Sequence, residues 1–411
     1  MTKNALCGCC SVQGDFAKID QKRSGRASFE SINYQESDLV FSLGVRRSRE
    51  KMNRVYNFSA GPGVLPVPVL EEVAKEFPDY HGCGMSLVEM SHRGPVFSQI
   101  IRETRDLLRE LLSVPETHDI LFLQGGGHMQ FAMVPLNLLG AAAEASYIVN
   151  GVWSKKAAAE ASKFCRVSVI GTPSRAQVPH PDSINVPNDA AYLYYCMNET
   201  VNGMEFNYIP QCPDCVPLVS DVSSNFLSRT IDFRRHALVF AGAQKNFGPA
   251  GLTVVIVRKD LLGLAGETCP TMLNYQVHSE AGSMYNTPPT FAIWVANLVC
   301  KWLVSEGGGE VMDERARLRS KLIYNAIDSS DGFYINTITP STRSRMNVVF
   351  NLREEALTEL FVKEAADAKL VNLKGHRLVG GLRASLYNAM PVEGAKALVE
   401  YMKEFEAGHH V

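Results

Sequence analysis

The chain has 411 residues, 46% of them hydrophobic, and its 41 basic and 43 acidic side chains give a formal net charge of −2. This much apolar material fills a large core, and two domains are expected at this length. The near-neutral balance offers no basic face for nucleic acid, and no apolar run is long enough to span a membrane. The ten cysteines, including Cys212 and Cys215, lack zinc-site spacing, so we expect no metal and interpret them as reduced thiols.

Residues 1–53 differ in composition from the rest of the chain. They are polar, rich in Ser, Arg and Lys, and show no sustained periodicity, which predicts a poorly ordered extension. The basic excess resembles a transit peptide, but acidic residues such as Asp15 and Glu30 argue against one, and a signal peptide is not expected. Met52 is an alternative start. We therefore expect a cytoplasmic protein, with organellar targeting by this segment as the weaker alternative.

From Val55 onward, short apolar runs alternate with helical patterns. Near-continuous apolar strands that alternate with helices predict an α/β fold with a mainly parallel central sheet, covered on both faces. This large domain is predicted to span residues 67–306. Its predicted strands are 120–123, 147–149, 192–195, 217–219, 238–241 and 253–257, and its predicted helices include 97–112, 129–139, 152–164 and 291–303.

Three consecutive glycines at 307–309 follow the apolar helix 291–303 and mark a change of pattern. A long helical segment comes next, followed by shorter elements predicted at 346–352, 354–368, 370–373 and 378–386, and by a terminal helix from Val392. This order predicts a smaller α+β domain, formed by residues 54–66 and 307–411.

The ends of the predicted strands carry the chemistry, because ligands of an open parallel sheet bind beyond the carboxyl ends of its strands. After 120–123 the chain reads QGGGH, with Gly127 and His128 at the start of a helical pattern. Glycines allow close backbone approach, and a helix start attracts anions, so the segment is a candidate phosphate site. The alternative is an ordinary turn.

Two further candidates follow the predicted strands 147–149 and 192–195. Trp153 could stack on a flat ring or belong to the core, and Thr200 could bond a ring substituent.

Asp221 and Lys245 follow two apolar runs that are close in sequence. A plain salt bridge is the simpler interpretation. The functional one is that Asp221 pairs with the protonated ring nitrogen of pyridoxal phosphate, while Lys245 forms a Schiff base with the cofactor. A lysine with an ordinary pKa is mostly protonated at neutral pH, so its surroundings would have to lower that pKa for it to act as a base.

Eight more specific motifs follow one another from about residue 55 to the end of the chain. They are YNFSAGPG at 56–63, SHRG at 91–94, QGGG at 124–127, CMNET at 196–200, AGAQKN at 241–246, YNTPP at 285–289, LKGHR at 373–377 and GGLRASLYNA at 380–389. With these motifs the chain resembles the phosphoserine aminotransferase family of class-V aminotransferases, which are fold-type-I pyridoxal-phosphate enzymes. AGAQKN and LKGHR are the most specific of them.

The resemblance implies transfer of the amino group of glutamate to 3-phosphohydroxypyruvate, within a homodimer whose active sites lie at the subunit interface. It leaves open whether 4-phosphohydroxythreonine of vitamin B6 synthesis is also a substrate. Lys245 is the implied catalytic residue. The implied cofactor contacts are Gly127, His128, Trp153, Thr200, Asp221, Gln244 and Lys245, with Asn286 and Thr287 reaching the neighbouring subunit's cofactor; the implied substrate contacts are His92, Arg93, His376, Arg377 and Arg383.

Two positions depart from the pattern of some family members: His128 replaces Arg, and Ala60 replaces Ser. A helix start is also expected at Thr287, as an N-cap followed by Pro288.

Two alternative functions stay open. The first is a sister aminotransferase or desulfurase with an unphosphorylated substrate, and the second is an inactive binding protein of the same fold. The number of cationic candidates argues against the former, because an unphosphorylated substrate needs fewer of them. Retention of both Asp221 and Lys245 argues against the latter.

Overall fold

A computed structural model describes residues 54–171, 174 and 176–409. The predicted extension at 1–53, with Met52, lies outside the described residues. Among the helices that are described, none combines the length and the apolar character needed to cross a membrane.

The strands alternate with helices through the first two thirds of the described chain. In chain order the strands are β1 (Tyr56–Asn57), β2 (His118–Leu123), β3 (Glu144–Ile148), β4 (Arg166–Ile170), β5 (Leu193–Cys196), β6 (Asn198–Glu199), β7 (Met204–Glu205), β8 (Leu218–Asp221), β9 (His236–Gly242), β10 (Thr253–Arg258), β11 (Tyr334–Ile335), β12 (Asn347–Leu352), β13 (Leu370–Val371) and β14 (Leu382–Ser385). The α-helices are α1 (Val67–Glu76), α2 (Pro95–Leu112), α3 (Gly126–Leu138), α4 (Val152–Ala161), α5 (Tyr275–Glu280), α6 (Thr290–Ser305), α7 (Gly308–Asp328), α8 (Thr358–Asp367) and α9 (Val392–His409).

The central sheet has seven strands in the order β2-β10-β9-β8-β5-β3-β4. The five strands from β9 to β4 are mutually parallel, whereas β10 runs antiparallel to both of its neighbours. The predicted α/β class with a mainly parallel sheet is therefore confirmed.

Strand β9 shows why its sequence is a continuous apolar run. Val239 and Ala241 pack into a cluster with α2 and α6, whereas Leu238 and Phe240 pack into a second cluster with α3 and α4. Successive side chains of a strand point to opposite faces of the sheet. Since both faces are covered by helices, every position of the strand is buried, and all of its residues after His236 are apolar or glycine.

The sequence interpretation missed strand β4 at the edge of the sheet. Its residues alternate in polarity and are partly exposed, in contrast to the buried strands beside it. The predicted helix before it, 152–164, ends at Ala161. A strand at the edge of a sheet is less completely covered than a central strand. It therefore lacks the continuous apolar run that predicts the central strands.

The C-terminal part contains a three-stranded antiparallel sheet, β11-β12-β14. Its core includes Phe350, Phe361 and Phe405, and Phe58 from the start of the chain joins it because β1 pairs with β13. The prediction for 378–386 was too long: Leu378 and Val379 are exposed, and only Leu382–Ser385 forms a strand. Similarly, α8 begins at Thr358 instead of residue 354. The division into two domains stays a prediction.

A buried carboxylate links β7 to the C-terminal part. Glu205 is 4% exposed and accepts hydrogen bonds from the backbone N–H of Arg345 at 2.9 Å and from Arg345 Nη2 at 2.6 Å. Arg229 Nη1 lies 3.4 Å from the same carboxylate. Burial alone raises the pKa of Glu205, but the two arginines outweigh that effect and hold the pKa below its ordinary value.

We expect Glu205→Gln to lower the free energy of unfolding by about 3 kcal/mol, because removing one partner of a buried ion pair leaves the other charge uncompensated. Urea unfolding measures the change. Glu359→Gln is the control: Glu359 pairs with Lys374 on the surface, with both side chains exposed, so its loss should cost less than about 1 kcal/mol. Equal effects of the two substitutions would contradict the prediction.

Candidate active site

Asp221 and Lys245 are brought together by the pairing of β8 with β9. Asp221 is the last residue of β8, opposite Phe240 of β9, and Lys245 lies three residues beyond the end of β9. Because the two strands are parallel neighbours, their carboxyl ends open at the same edge of the sheet. The site therefore lies where an open parallel sheet places its ligands.

A cavity of about 290 Å³ lies at this edge. It brings together nine of the residues singled out in the sequence and adds others, including Gly61, Phe131 and Ser223. The nine are Gly127, His128, Trp153, Thr200, Asp221, Gln244, Lys245, His376 and Arg383. Ala60, where some family members have Ser, also lines the cavity.

Lys245 directs its amine into this cavity. Its Nζ donates a hydrogen bond to Thr200 Oγ1 at 2.7 Å and lies 5.5 Å from the centre of the Trp153 ring. Burial lowers the pKa of Lys245, against the opposing effect of the Asp221 carboxylate. A lowered pKa is what the sequence analysis requires if Lys245 is to act as a base.

Asp221 is only 6% exposed, and burial raises its pKa while Lys245 opposes that rise. Within the described part of the chain, no direct ion pair joins it to Lys245, so the simple salt-bridge interpretation is wrong. Instead, Asp221 Oδ1 accepts from the N–H of Ser223 at 2.9 Å, and Ser223 Oγ accepts from the N–H of Gly242 at 3.1 Å. Sequence reasoning missed Ser223, which ties the loop after β8 to the end of β9.

The start of α3 forms another wall of the cavity. Gly125 has a positive φ of 92° and provides no side-chain cap, and the helix begins at Gly126, earlier than the predicted Met129. The first amide of the helix that donates a hydrogen bond to the preceding turn is that of Met129, which bonds Gly125 O at 3.3 Å. The amides of Gly126, Gly127 and His128 therefore stand at an uncapped helix start, which favours an anion.

Trp153 and His128 stand edge to face, with ring centroids 5.4 Å apart and planes at 81°. Burial, with a contribution from Lys156, lowers the pKa of His128, which favours the neutral form of the ring. The buried Trp153 Nε1 has no hydrogen-bond partner in the described residues. A neutral His128 adds no cation to the helix start, where backbone N–H groups are the available donors.

Arg383 and His376 reach the cavity from the C-terminal part. Arg383 lies on β14, which is held by β12 on one side and by a bond from Arg383 N to Leu373 O at 2.7 Å. Its Nε is buried and, among the residues described, has no hydrogen-bond partner. Burial lowers the pKa of Arg383, and burial together with Arg383 lowers that of His376. An unpaired guanidinium in a cavity is a binding group for a carboxylate or a phosphate.

Residues 55–398 match the family model for class-V aminotransferases. The chain is 51% identical to phosphoserine aminotransferase of Chromobacterium violaceum over 357 residues, which cover 86% of this chain and 99% of that protein. The solved structure of phosphoserine aminotransferase from Bacillus circulans subsp. alkalophilus superposes with a TM-score of 0.84 at 44% identity, covering 86% of this chain and 99% of that one.

The chain belongs to the phosphoserine aminotransferase family. A pyridoxal-phosphate-bound family member from Trichomonas vaginalis also superposes, with a TM-score of 0.82 at 43% identity, covering 85% of this chain and all of that one, 100%. The predicted family, fold type, enzyme class and cofactor are confirmed. The cavity fits that cofactor: it offers an amine, a buried carboxylate, an aromatic ring and an open helix start on separate walls.

Five of the predicted family residues lie outside the lining of this cavity. His92 is buried, and its Nε2 has no partner within the described chain; Arg93, Arg377, Asn286 and Thr287 are exposed. Asn286 lines a second cavity, of about 180 Å³, whose wall includes Gln124 and Gly125 before α3. These placements leave the roles of the five residues as predictions.

The predicted helix start at Thr287 is wrong. Helix α6 begins at Thr290, and Pro289 occupies the N-cap position without a side-chain hydrogen bond. Two successive prolines explain the difference, because each proline disfavours the helical conformation in the residue before it. Thr287 therefore stays outside the helix, and its carbonyl accepts from Gln124 Nε2 at 3.4 Å.

The lowered pKa of Lys245 predicts a pH dependence for the apo-protein. Only the neutral amine attacks an aldehyde, so the rate of reaction with pyridoxal phosphate should rise with pH and level off through a midpoint below 10.5, the ordinary lysine value. Stopped-flow absorbance gives the profile. Asp221→Asn removes a carboxylate that raises this pKa and should move the midpoint lower still. A midpoint at or above 10.5 would contradict the prediction.

Proposed function

We propose that this chain transfers the amino group of L-glutamate to 3-phosphohydroxypyruvate, giving O-phospho-L-serine and 2-oxoglutarate. The comparisons support phosphoserine transamination and do not favour the sister aminotransferase. The structural observation that carries the proposal is the single cavity in which Lys245, Asp221 and the open start of α3 meet Arg383, whose buried Nε has no partner among the described residues. It combines a site for a phosphorylated aromatic cofactor with a free cation for an anionic substrate.

Pyridoxal phosphate, when bound, would supply an aldehyde and a ring that accepts electrons. The amides of Gly127 and His128 would hold its phosphate at the start of α3, together with Gln244, while Trp153 would cover one face of its ring. Asp221, already oriented by Ser223, would hold the ring nitrogen, and Thr200 would reach the ring hydroxyl. A carboxylate beside a ring N–H at contact is worth on the order of 4 kcal/mol at an effective dielectric of 20.

Lys245 would serve first as the attachment point for the cofactor and then as the base. Its Nζ would take the proton from the Cα of the amino acid and give it to the cofactor carbon to which the lysine had been attached. The lowered pKa supports this role, because a larger share of the amine is neutral at a given pH. Thr200 Oγ1 accepts a hydrogen bond from the free amine at 2.7 Å, so Lys245 has a defined position before the cofactor binds.

Arg383 and His376 would receive the anionic ends of the substrates, with His92, Arg93 and Arg377 as further cationic or hydrogen-bonding contacts. Arg383 is the best supported, since its Nε is buried and has no partner among the described residues. An arginine fork binds a carboxylate through two parallel hydrogen bonds. A substrate with both a carboxylate and a phosphate accounts for more than one such group.

The working form would be a homodimer in which Asn286 and Thr287 contact the cofactor phosphate of the neighbouring subunit. Both residues are exposed, and Asn286 lines the second cavity beside Met129 and Met272, whose exposed fractions are 39% and 41%. Exposed large apolar side chains around a concave surface mark an interaction site. We place the protein in the cytoplasm, where glutamate and its other small-molecule substrates are available.

Titration of the cofactor-loaded protein with amino acids tests the function. L-Phosphoserine should remove the visible absorption band of the bound cofactor, whereas L-alanine and L-serine at the same concentration should leave it, because they lack the phosphate that the cationic groups bind. Absorbance spectra record the change. A band that responds to alanine or serine and not to phosphoserine would assign the protein to a sister aminotransferase.

Arg383→Ala should raise the KM for glutamate and for phosphohydroxypyruvate about tenfold or more, because a charge-assisted hydrogen bond to each substrate is lost. Steady-state kinetics with each substrate varied in turn measures the effect. Arg166→Ala is the control, since Arg166 is 77% exposed at the edge of the sheet. If Arg383→Ala lowers the unfolding temperature and leaves both KM values unchanged, Arg383 is structural.

The shared site can be tested by mixing two inactive variants, Lys245→Ala and the double variant Asn286→Ala, Thr287→Ala. A mixed dimer contains one site with an intact Lys245 from one subunit and intact Asn286 and Thr287 from the other. Activity should therefore return after the variants are unfolded and refolded together, and not after each is refolded alone. A mixed dimer that is isolated through different affinity tags on the two variants and has no activity would refute the shared site.

A further inference from the structure

We propose that Glu199 is a positioning residue that fixes Trp153 in the cofactor site relative to Thr200, its own neighbour in the chain. The inference rests on the proposed function. Glu199 is the last residue of β6, its side chain is fully buried at 0% exposure, and it lies outside the lining of the cavity. It therefore acts through its neighbours.

The Glu199 carboxylate accepts three hydrogen bonds from the start of α4. Oε2 accepts from the N–H of Trp153 at 2.9 Å, and Oε1 accepts from the N–H of Ser154 at 2.7 Å and from Ser154 Oγ at 2.6 Å. Trp153 is thus held through its own backbone by a residue adjacent to Thr200. The Thr200 hydroxyl accepts a hydrogen bond from the Lys245 amine. The Glu199 carboxylate and the adjacent Thr200 therefore connect the Trp153 ring to the catalytic lysine.

These bonds also distinguish the two helix starts at the site. Asn202 Oδ1 accepts from the N–H of Val152 at 3.0 Å, so side chains satisfy the first three amides of α4. The start of α3 has no such cap. An anion is consequently directed to α3, and the occupied start of α4 is left to carry the Trp153 ring.

Gly151 makes room for this carboxylate. A Cβ at position 151 would lie 2.3 Å from Glu199 Cδ and 2.6 Å from Oε2, which is too close for any side chain. The backbone there is extended, with φ −159°, so glycine is needed for the space and not for the conformation. The buried acid and the missing side chain are complementary.

Three donors on one carboxylate explain why an acid is needed at this position. Burial raises the pKa of Glu199, and the hydrogen bonds from Ser154 and Trp153 oppose that rise. In glutamine, one of the two oxygens is replaced by an NH2 group, which can only donate. Glu199→Gln therefore keeps the size of the side chain but directs a donor at an N–H of α4.

The test measures the Kd of pyridoxal phosphate for the apo-protein by equilibrium absorbance titration, which does not depend on turnover. Glu199→Gln should raise the Kd about tenfold. In a Trp153→Ala background the same substitution should have a much smaller effect, because residues that act through one another are not additive. Asn202→Ala, which uncaps Val152 and leaves Trp153 bonded to Glu199, is the matched control and should leave the Kd within about twofold.

An unchanged Kd in Glu199→Gln, or equal effects with and without Trp153, would overturn the inference and leave the proposed function standing. A wild-type protein that does not bind pyridoxal phosphate would overturn both. If Glu199→Gln does not fold, Gly151→Ala serves instead, since the added methyl group displaces the carboxylate. It should raise the Kd to a similar extent, and an unchanged Kd there also counts against the inference.

Discussion

The Lys245 amine and the Asp221 carboxylate line one cavity at the end of a buried sheet without forming a contact pair. Opposite charges at contact attract by about 4 kcal/mol at an effective dielectric of 20, so other interactions must keep these two groups apart. Thr200 binds the amine, and the N–H of Ser223 binds the carboxylate. The separation leaves both groups free to engage a ligand, and the surrounding structure serves to maintain it.

The helices α3 and α4, which both begin at this cavity, differ in whether their first backbone amides have hydrogen-bond partners. Helix α3 begins with glycines and exposes its first amides, whereas the first amides of α4 are satisfied by Asn202 and Glu199. The contrast leaves the amides at the start of α3, and not those of α4, available to an anion, while α4 carries the Trp153 ring at its own start.

The C-terminal part completes the site from the opposite side. Strand β14 presents Arg383, and the loop before it presents His376. Arg383 is partly desolvated and lacks a partner among the described side chains, which is a costly state for a guanidinium unless an anion binds there. Arg383 and His376 on one hand and Asp221 and Lys245 on the other thus come from different parts of the chain and meet at one cavity.

The sequence by itself determined the central sheet, the anion-ready glycines at 125–127, and Asp221 and Lys245 as candidate site residues. These features depend on local patterns: a strand buried on both faces is continuously apolar, and ligand-binding residues follow its carboxyl end. The tertiary structure decided that the two charges do not pair, that Ser223 and Glu199 support the site, and which of the cationic residues reach it. Those outcomes depend on contacts between segments far apart in the chain, such as Glu199 with Trp153, and on the placement of Arg383 and Lys245 in one cavity, and no local periodicity encodes such distances. The edge strand β4 escaped prediction for a related reason: partial burial at a sheet edge weakens the local apolar pattern. The helix predicted at 291–303 begins at Thr290, but the N-cap expected at Thr287 is not formed, because two prolines stand between that residue and the helix.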